Sequence, residues 1–481
     1  MIAISAANGA AGTGITLVAR YPGRAGEVVV TFAVRESQNV LVTVDGTNTL
    51  RGVREFDTLR FKDGSLAVAV RSNSGSLEML NNLGSPVDLA AASGPVQILT
   101  VIVTVRYPGG RPREDVWENL AFDARHRNSL QQLFGESVSL RRMPALTIPI
   151  IFRTDADTFT VAARLIAATK QPIPLTGGSD GDRPEAGLFI GQNADDPNRA
   201  TGLVALENIP DISIVAAPGS SLGGQNGFAT NAQQISNALI GHCQRMRYRI
   251  AVLDAPDEAA VSDIRGWRTQ FDSTHAALYY PWVCTIDPLT GNELNLPPSG
   301  FVAGIYARND IARGVHKAPA NEVVRSAIRF ERNLNKAHQD VLNPEGINCF
   351  RWFQGRGYRL WGARTISSDP EWKYVSLRRY FAYLERSIEL GTQWVVFEPN
   401  GPELWANVKR TIEDFLFNEF KSGRLLGDSP ETSYFVRCDR STMTQNDIDN
   451  GRLICLIGVS PLRPAEFVIF RIGQWTADSN Q

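Results

Sequence analysis

Three continuous apolar runs in the middle of the chain constrain its fold more than any other feature. The runs are Ile212–Ala217, Ile250–Leu253 and Ala277–Val283. Two stretches of helical length, Asn231–Arg247 and Glu258–Phe271, separate them. Strands that are apolar on both faces and joined by helical crossovers are typical of a parallel sheet covered by helices. The sequence therefore predicts an α/β domain over residues 151–370.

The first 150 residues have a different texture, with short β-prone runs separated by turn residues. The runs are Ile15–Arg20, Val28–Phe32, Val40–Val44, Leu66–Val70 and Val96–Val105. The dipeptides Asp45-Gly46, Asp63-Gly64 and Pro108-Gly109 lie between or after these runs. Such dipeptides favour the tight turns of β-hairpins. The pattern predicts a β-rich domain over residues 1–150.

The last part of the chain, residues 371–481, begins with two amphipathic helices. Their apolar stripes are Leu377, Tyr380, Phe381, Leu384 and Ile388, and then Leu404, Val408, Ile412, Phe415 and Leu416. Spacings of three and four residues place each set on one helix face. Three candidate strands follow, at Tyr434–Arg437, Leu453–Val459 and Phe467–Ile472. This part is predicted to be an α+β domain, so the whole chain is a multidomain α/β and α+β protein.

Charge and cysteine usage exclude several classes of protein. Over 481 residues, 49 Lys and Arg balance 50 Asp and Glu, for a net charge of −1. Proteins that bind nucleic acid directly usually carry a basic excess, so we expect no such partner. No run approaches the roughly 20 apolar residues of a membrane span, so we expect no membrane insertion. The five cysteines form no CxxC pair. We therefore expect no disulfide framework, and synthesis in a reducing cytoplasm.

A search for catalytic and metal-binding motifs finds no convincing site. A serine-protease triad could draw on Ser220 or Ser221, but neither lies in a GxSxG turn. His242 and Cys243 are neighbours without a second pair at metal-ligand spacing. The glycine-rich segments lack the phosphate-binding GxxxxGK[ST] pattern. We expect no catalytic residue, no metal and no cofactor, although an active hydrolase on the α/β domain stays open as an alternative.

The segment Arg351–Arg364 combines four arginines with aromatic residues. This combination is found in surfaces that bind single-stranded nucleic acid and also in protein interfaces. Because the chain has no basic excess, the interface is the favoured interpretation.

An ordered series of segments resembles the tail sheath proteins of contractile phages and of related contractile injection systems. The segments are Leu175–Gly181, Leu206–Gly219, Ile250–Pro256, Gly300–Lys317, Leu342–Cys349, Arg359–Ser367, Tyr374–Arg379, Phe397–Trp405 and Phe435–Asp439. The resemblance is dense over residues 115–481 and loose over 15–115. It implies a subtilisin-like fold without a working triad for the middle domain. It also implies an outer position for residues 1–150 and an inner position for 371–481.

The function that this resemblance implies is structural. Sheath subunits polymerise helically around an inner tube and contract to drive the tube through a target cell envelope. The expected partners are further copies of the chain, the inner tail tube protein, and baseplate and tail terminator proteins. The expected location is a virion or a bacterial contractile injection particle. Family members usually begin with an extended arm carrying a Pro-Gly-Val-Tyr-type motif, which is not present before Ile15. The contacts of such an arm are left open.

The C-terminal strand is the first candidate assembly element. It consists of Phe467, Val468, Ile469, Phe470, Arg471 and Ile472. An apolar strand that follows Pro461 and Pro464 suits a segment that leaves its own domain and joins a neighbour's sheet edge. The alternative is an ordinary terminal strand within its own sheet.

The second candidate is a basic surface that would grip the inner tube. Its residues are Lys409, Arg410, Lys421 and Arg424. They are chosen because the stripe through Val408 and Ile412 turns inward and leaves the charged positions free. The alternative is a solvated helix face.

Overall fold

The structure is a computed structural model, and it describes residues 5–72, 75–92, 94–108, 113–136, 148–196, 199–223, 227–288 and 291–466. The chain forms two compact units. The first comprises Met1–Arg183 with Ile286–Glu293, and the second comprises Pro184–Thr285 with Leu294–Gln481. The fold is therefore a mixed α/β multidomain architecture.

The first unit is built mainly from antiparallel strands. Its elements are β1 (Asn8–Ala10), β2 (Ile15–Ala19), β3 (Val29–Glu36), β4 (Leu41–Val44), β5 (Thr47–Leu50), β6 (Thr58–Arg60), β7 (Leu66–Arg71), β8 (Leu77–Leu80), β9 (Gln97–Arg106), β10 (Glu114–Leu120), α1 (Leu130–Leu133), β11 (Ile150–Thr154), α2 (Thr158–Ala167) and β12 (Pro172–Pro174). The main sheet has the order β12-β3-β9-β6-β7-β8, and β10 also pairs with β9. All five predicted runs form strands.

Two separate hydrophobic clusters fill this unit. The larger contains Val30 and Phe32 of β3 and Val103 of β9, together with residues of β2 and α2. The smaller lies under β6 and β7 and includes Leu59 and Met79. The segment between β3 and β9 thus has a small core of its own.

The turn between β4 and β5 shows why the predicted hairpin signals work. Asp45 and Gly46 have φ angles of 50° and 77°. Positive φ at both central residues is the requirement of the tight turn that matches the twist of a hairpin. Glycine meets this requirement without steric cost, and Asp is among the side chains that tolerate it.

The second unit alternates helices with strands. Its elements are α3 (Ala186–Ile190), α4 (Gly202–Ala205), β13 (Ile214–Ala216), α5 (Ala229–Met246), β14 (Ile250–Asp254), α6 (Val261–Arg268), β15 (Ala276–Tyr280), β16 (Val283–Ile286), β17 (Glu293–Leu296), α7 (Pro298–Arg313), β18 (Glu322–Val323), β19 (Arg329–Phe330), α8 (Lys336–Leu342), β20 (Ile347–Phe353), β21 (Gly357–Trp361), α9 (Val375–Gly391), α10 (Pro402–Lys421), α11 (Pro430–Ser433), β22 (Tyr434–Arg437), α12 (Gln445–Asp449) and β23 (Leu456–Val459).

A sheet with the order β13-β14-β15-β20-β21-β18 forms its centre. The first four strands are parallel, and β21 and β18 continue the sheet antiparallel. Alternate residues of β14 enter different clusters, since Ala251 packs with α5 residues and Val252 packs with α7 residues. Helices thus cover both faces, which confirms the predicted α/β arrangement.

Several predicted boundaries differ from the structure. The run Ala277–Val283 is divided, because β15 ends at Tyr280 and β16 begins at Val283. Pro281 lies between them and offers no N–H to a ladder. The last predicted strand, Phe467–Ile472, lies outside the described residues.

Candidate assembly surfaces

The two amphipathic helices of the C-terminal part pack through the stripes that the sequence predicts. Tyr380 and Leu384 of α9 share one cluster with Val408, Ile412 and Leu416 of α10. The cluster also takes in residues of β22 and of the segment after it. The outer side of α10 is left exposed.

A buried carboxylate that the sequence analysis did not single out lies at the centre of this packing. Glu419 of α10 accepts hydrogen bonds from the hydroxyls of Tyr380 at 3.0 Å and Tyr383 at 3.1 Å. It also accepts one from the guanidinium of Arg424 at 2.7 Å. Burial, and then the charge of Glu419, raise the pKa of Tyr380. The sequence does not reveal this role, because two partners of Glu419 lie on another helix and the third lies beyond the end of α10.

The four basic candidates do not form one patch. Arg424 points to Glu419 and stabilises the core. Arg410 and Lys421 are both exposed, and their spacing places them within about 20° on one helix face and about 17 Å apart along the axis. Lys409 lies about 100° away from Arg410 and has its Nζ 3.7 Å from a carboxylate oxygen of Glu413. Arg410 and Lys421 are thus the candidates that share a free surface.

A two-stranded sheet next to these helices has exposed apolar side chains. Strands β22 and β23 pair antiparallel from Tyr434 opposite Val459 to Arg437 opposite Leu456. Phe435, Leu456 and Ile457 on these strands are exposed. Within the described ranges no third strand joins this sheet. The pair packs against the cluster of α9 and α10, and the edge of a sheet presents backbone N–H and C=O groups with which a further strand can pair.

The last described residue, Glu466, is held in a polar socket made by Asn343, Arg364, Lys373 and Tyr374. Its carboxylate accepts hydrogen bonds from Arg364 Nε at 2.8 Å, Asn343 Nδ2 at 2.7 Å and the Tyr374 hydroxyl at 3.1 Å. Lys373 Nζ is 3.8 Å away. Burial alone would raise the pKa of Glu466, but the hydrogen bonds from Arg364 and Asn343 outweigh it and lower the pKa. We call this arrangement the Glu466 socket.

The socket precedes the predicted exchange strand Phe467–Ile472, which lies outside the described residues. It also gives Arg364 a role that the sequence analysis did not foresee. The other arginines of the segment Arg351–Arg364 bind within the chain as well, since Arg351 donates to the carbonyl of Leu334 and Arg359 to that of Asn321.

The residues considered for catalysis serve the fold. The Ser221 hydroxyl donates to the carbonyl of Ala255 at 2.8 Å. His242 is buried with its ring 2.6 Å from the guanidinium of Arg249. These contacts are structural, and they bring no serine, histidine and aspartate triad together among the residues named here.

Asp254 is a second buried carboxylate that the sequence analysis missed. It lies at the end of β14 and accepts hydrogen bonds from the backbone N–H of Ser299 at 2.6 Å and from its hydroxyl at 2.7 Å. It therefore satisfies a free donor in the first turn of α7. Burial raises the pKa of Asp254 to about 7.

A cavity of about 280 Å³ lies along α9, and its lining includes four arginines, Arg249, Arg378, Arg379 and Arg386, together with acidic and apolar residues. All four guanidiniums are already bound by the protein, that of Arg386 by Glu389. Arg379 donates to Asp310, Arg378 to Glu385, and Arg249 to backbone carbonyls. In the described part of the chain, no group of His, Cys, Asp and Glu side chains could hold a metal ion. None of its helices is both long and apolar enough to span a membrane.

Comparison with known proteins gives the family. The phage tail sheath protein central domain matches residues 201–366, and the phage tail sheath C-terminal domain matches residues 367–474. Together the two matches cover more than half of the chain. The chain belongs to the phage tail sheath family.

Individual relatives agree with this assignment. A protein described as a prophage major tail sheath protein of Pseudomonas aeruginosa (strain UCBPP-PA14) is 25% identical over 51% of this chain and 64% of its own length. The tail sheath protein of Escherichia phage P2 is 23% identical over 65% of this chain and 79% of its own length. A chain from the contracted sheath complex of the extracellular contractile injection system PVC is 32% identical to this chain. The match covers 58% of this chain and 75% of the PVC chain, with a TM-score of 0.50.

The family domains coincide with the parts of this sheath protein that carry the candidate surfaces. The central match contains the parallel sheet and two residues of the Glu466 socket, Asn343 and Arg364. The C-terminal match contains α9, α10 and the two-stranded sheet. The tail sheath family is structural, and the alternative of an active hydrolase receives no support from the relatives.

Proposed function

We propose that the chain is the structural subunit of a contractile sheath. Subunits polymerise helically around an inner tube and shorten to drive that tube through a target cell envelope. The observation that carries the proposal is the consecutive match of a sheath central domain and a sheath C-terminal domain over residues 201–474.

Each part of the chain has a proposed place in the polymer. Residues 1–150 form the outer domain, residues 151–370 a subtilisin-like α/β domain without a working triad, and residues 371–481 the inner domain next to the tube. The bonds of Ser221 to a backbone carbonyl and of His242 to Arg249 support the proposal that these two residues form no working triad.

Strand exchange is the proposed connection between subunits. Phe467–Ile472 of one copy would join the two-stranded sheet of β22 and β23 in the next copy and cover its exposed apolar side chains. Such a contact uses different surfaces on the two copies. Repetition without closure then generates a helical filament.

The Glu466 socket would fix the point at which the exchanged strand leaves its own subunit. Its residues come from the α/β sheet region and from the start of α9. Tension in the exchanged strand would therefore be carried into the large sheet as well as into the C-terminal helices.

The partners follow from this role. They are many copies of the chain, the inner tube protein, and baseplate and tail terminator proteins. Arg410 and Lys421 are the best placed tube contacts, with Lys409 beside them, whereas the bond from Arg424 to Glu419 favours a structural role. The particle is a virion tail or a bacterial contractile injection device, and its subunits are made in the host cytoplasm.

Negative-stain electron microscopy and sedimentation of the purified chain, alone and with its tube protein, test the proposal. We expect tubular polymers that lengthen with protein concentration. An Ile469→Pro variant loses a backbone donor in the exchanged strand and should give folded subunits that form no long sheaths. A wild-type chain that stays monomeric under both conditions would contradict the proposed function.

A further inference from the structure

A loop after α9 exposes an unusual group of apolar side chains. We define the Trp394 loop as residues 392–398. Phe397 is fully exposed, Val396 is 65% exposed, and Trp394 is about half exposed. Exposed apolar groups of this kind usually belong to interaction sites, because water solvates them poorly.

The Trp394 loop is held in place on both sides. The Trp394 indole N–H donates to the carbonyl of Gly391 at 3.0 Å, and the Glu398 N–H donates to that of Val395 at 3.1 Å. The Val395 side chain packs into the core of α9 and α10. The neighbouring Phe397 has a φ of 69°, which is rare for a bulky residue. The backbone therefore presents Val396 and Phe397 outward at some cost in strain.

An open groove on α7 offers a complementary surface. Its floor contains Gly300 and Gly304, where an added Cβ would meet no atom within 4 Å. Ile305 and Val324 line it, and Ile311 at its end is 89% exposed. The missing side chains leave room for large apolar groups to approach the helix backbone. We call this surface the α7 groove.

The two surfaces also match in charge. Glu398 ends the Trp394 loop, and Arg325 lies on the rim of the α7 groove. Both are exposed, and neither forms an ion pair within the part of the chain that the structure describes. Opposite charges at the edge of an apolar contact favour one orientation over others.

The loop does not occupy the groove of its own chain, since Phe397 and Ile311 are both exposed. An ion pair between Arg379 and Asp310 fixes the first turn of α9 to the last turns of α7. The Trp394 loop follows the opposite end of α9, about 18 Å further along the helix axis. A Trp394 loop that fills an α7 groove must therefore belong to another copy of the chain.

We propose that the Trp394 loop of one copy docks in the α7 groove of a second copy. This inference rests on the proposed function, in which many copies assemble, and adds a contact that strand exchange does not include. Phe397 and Val396 cover the glycine floor and Ile311, and Glu398 pairs with Arg325. Because the two surfaces differ, the contact is head-to-tail and can repeat along a filament.

One substitution on each side tests the contact in the full chain. Phe397→Ser removes the main apolar group of the loop, and Gly304→Leu fills the groove while favouring the helix. We expect both variants to fold and to raise the concentration needed for polymerisation at least tenfold. Matched controls are Leu83→Ser, an exposed leucine elsewhere, and Gly266→Leu, another open helical glycine. Both controls should polymerise like the wild type.

A charge exchange gives a readout that altered folding does not mimic. Glu398→Arg and Arg325→Glu should each weaken polymerisation, and the double variant should restore it. Unchanged polymerisation of Phe397→Ser and Gly304→Leu would overturn the inference. It would also be overturned if Phe397→Ser sheaths formed normally but failed to retain the tube protein, because the loop would then bind the tube. A wild-type chain that never polymerises would contradict the proposed function together with this contact.

Discussion

Single carboxylates, two of them buried and one half-buried, stabilise the second unit at the points where its elements meet. Asp254 joins β14 to α7, Glu419 joins α10 to α9, and Glu466 joins the end of the described chain to the α/β sheet region. A buried charge is costly unless it is paired and hydrogen-bonded. Glu419 and Glu466 pair with Arg424 and Arg364, whereas Asp254 accepts hydrogen bonds from Ser299 and has its pKa raised by burial. Small changes at these positions should therefore have large effects.

Removing the charge of Glu466 should loosen the C-terminal strand. Glu466→Ala leaves the buried Arg364 guanidinium without its main partner. Such a loss costs about 3–5 kcal/mol when both members of the pair are buried, and less for the half-buried Glu466. We expect a lower melting temperature and faster proteolysis after residue 466, measured by mass spectrometry of the fragments. Glu466→Gln keeps part of the hydrogen bonding. Its melting temperature and its rate of proteolysis should lie between those of Glu466→Ala and the wild type. Equal cleavage of all three proteins would show that the socket does not restrain this segment.

Asp254 should make stability depend on pH. Its folded pKa of about 7 lies above the value of 3.8 for an ordinary Asp, so the folded state holds a proton more tightly. The resulting stabilisation is full below pH 4 and is lost as the pH rises through 7. We expect the contribution of Asp254 to the free energy of unfolding, measured with denaturant, to fall by on the order of 2 kcal/mol between pH 5 and 8. Asp254→Asn should remove that loss. Asp449→Asn, at an exposed carboxylate, should retain the loss. If the free energy of unfolding falls equally with pH in both variants, the pH dependence does not come from Asp254.

The residue scale is also where sequence reasoning is weakest. The stripe through Val408 and Ile412 is predictable, because helical periodicity is local. The burial of Glu419 is not, because it depends on hydroxyls of α9 about 36 to 39 positions earlier. The sequence groups Arg424 with the tube contacts for the same reason, since its bond to Glu419 depends on the burial of that carboxylate.

At the scale of elements, helix α10 presents a face on which Arg410 and Lys421 stand in line. Phe417 lies near the same line, with its ring centre 5.3 Å from Lys421 Nζ. Exposed charges of this kind bind weakly and are screened by salt. Such contacts would hold a tube in register and still release it.

Reversing both charges, Arg410→Glu with Lys421→Glu, should weaken the binding of the tube protein. We expect retained folding by circular dichroism and a several-fold loss of co-sedimenting tube, largest at low salt. Arg424→Glu is the informative comparison, because it should lower the melting temperature by placing a carboxylate beside Glu419. If the double reversal leaves tube binding unchanged at every salt concentration, this face of α10 is not the tube contact.

The order and type of the main elements follow from the sequence, whereas the short strands do not. Long apolar runs and helical spacing predict β14, β15, α5 and α10 because those signals lie within a single segment. Strands β18 and β19 have two residues each and exist through pairing with distant partners. Leu453–Val459 is shortened to Leu456–Val459 for a related reason, since its ladder ends where β22 ends.

At the scale of the whole molecule, the first unit contains a removable part. Ser37 and Ile98 exchange hydrogen bonds, with the Ser37 N–H donating to the Ile98 carbonyl at 2.9 Å and the Ile98 N–H donating to the Ser37 hydroxyl at 2.8 Å. The ends of the intervening segment are therefore close together. Residues between them have their own cluster around Leu59 and Met79, separate from the main core.

Replacing residues 38–96 with an Asn-Gly turn should leave a folded chain that still assembles. The replacement keeps β3 and β9 paired and retains the main cluster, and Asn-Gly favours a two-residue hairpin. We expect cooperative thermal unfolding with a modestly lower midpoint, and sheaths of smaller outer diameter by electron microscopy. Deleting residues 25–105 instead removes β3 and nearly all of β9, and should abolish folding of the first unit. A trimmed chain that folds but cannot polymerise would place residues 38–96 at a subunit contact and contradict their outer position.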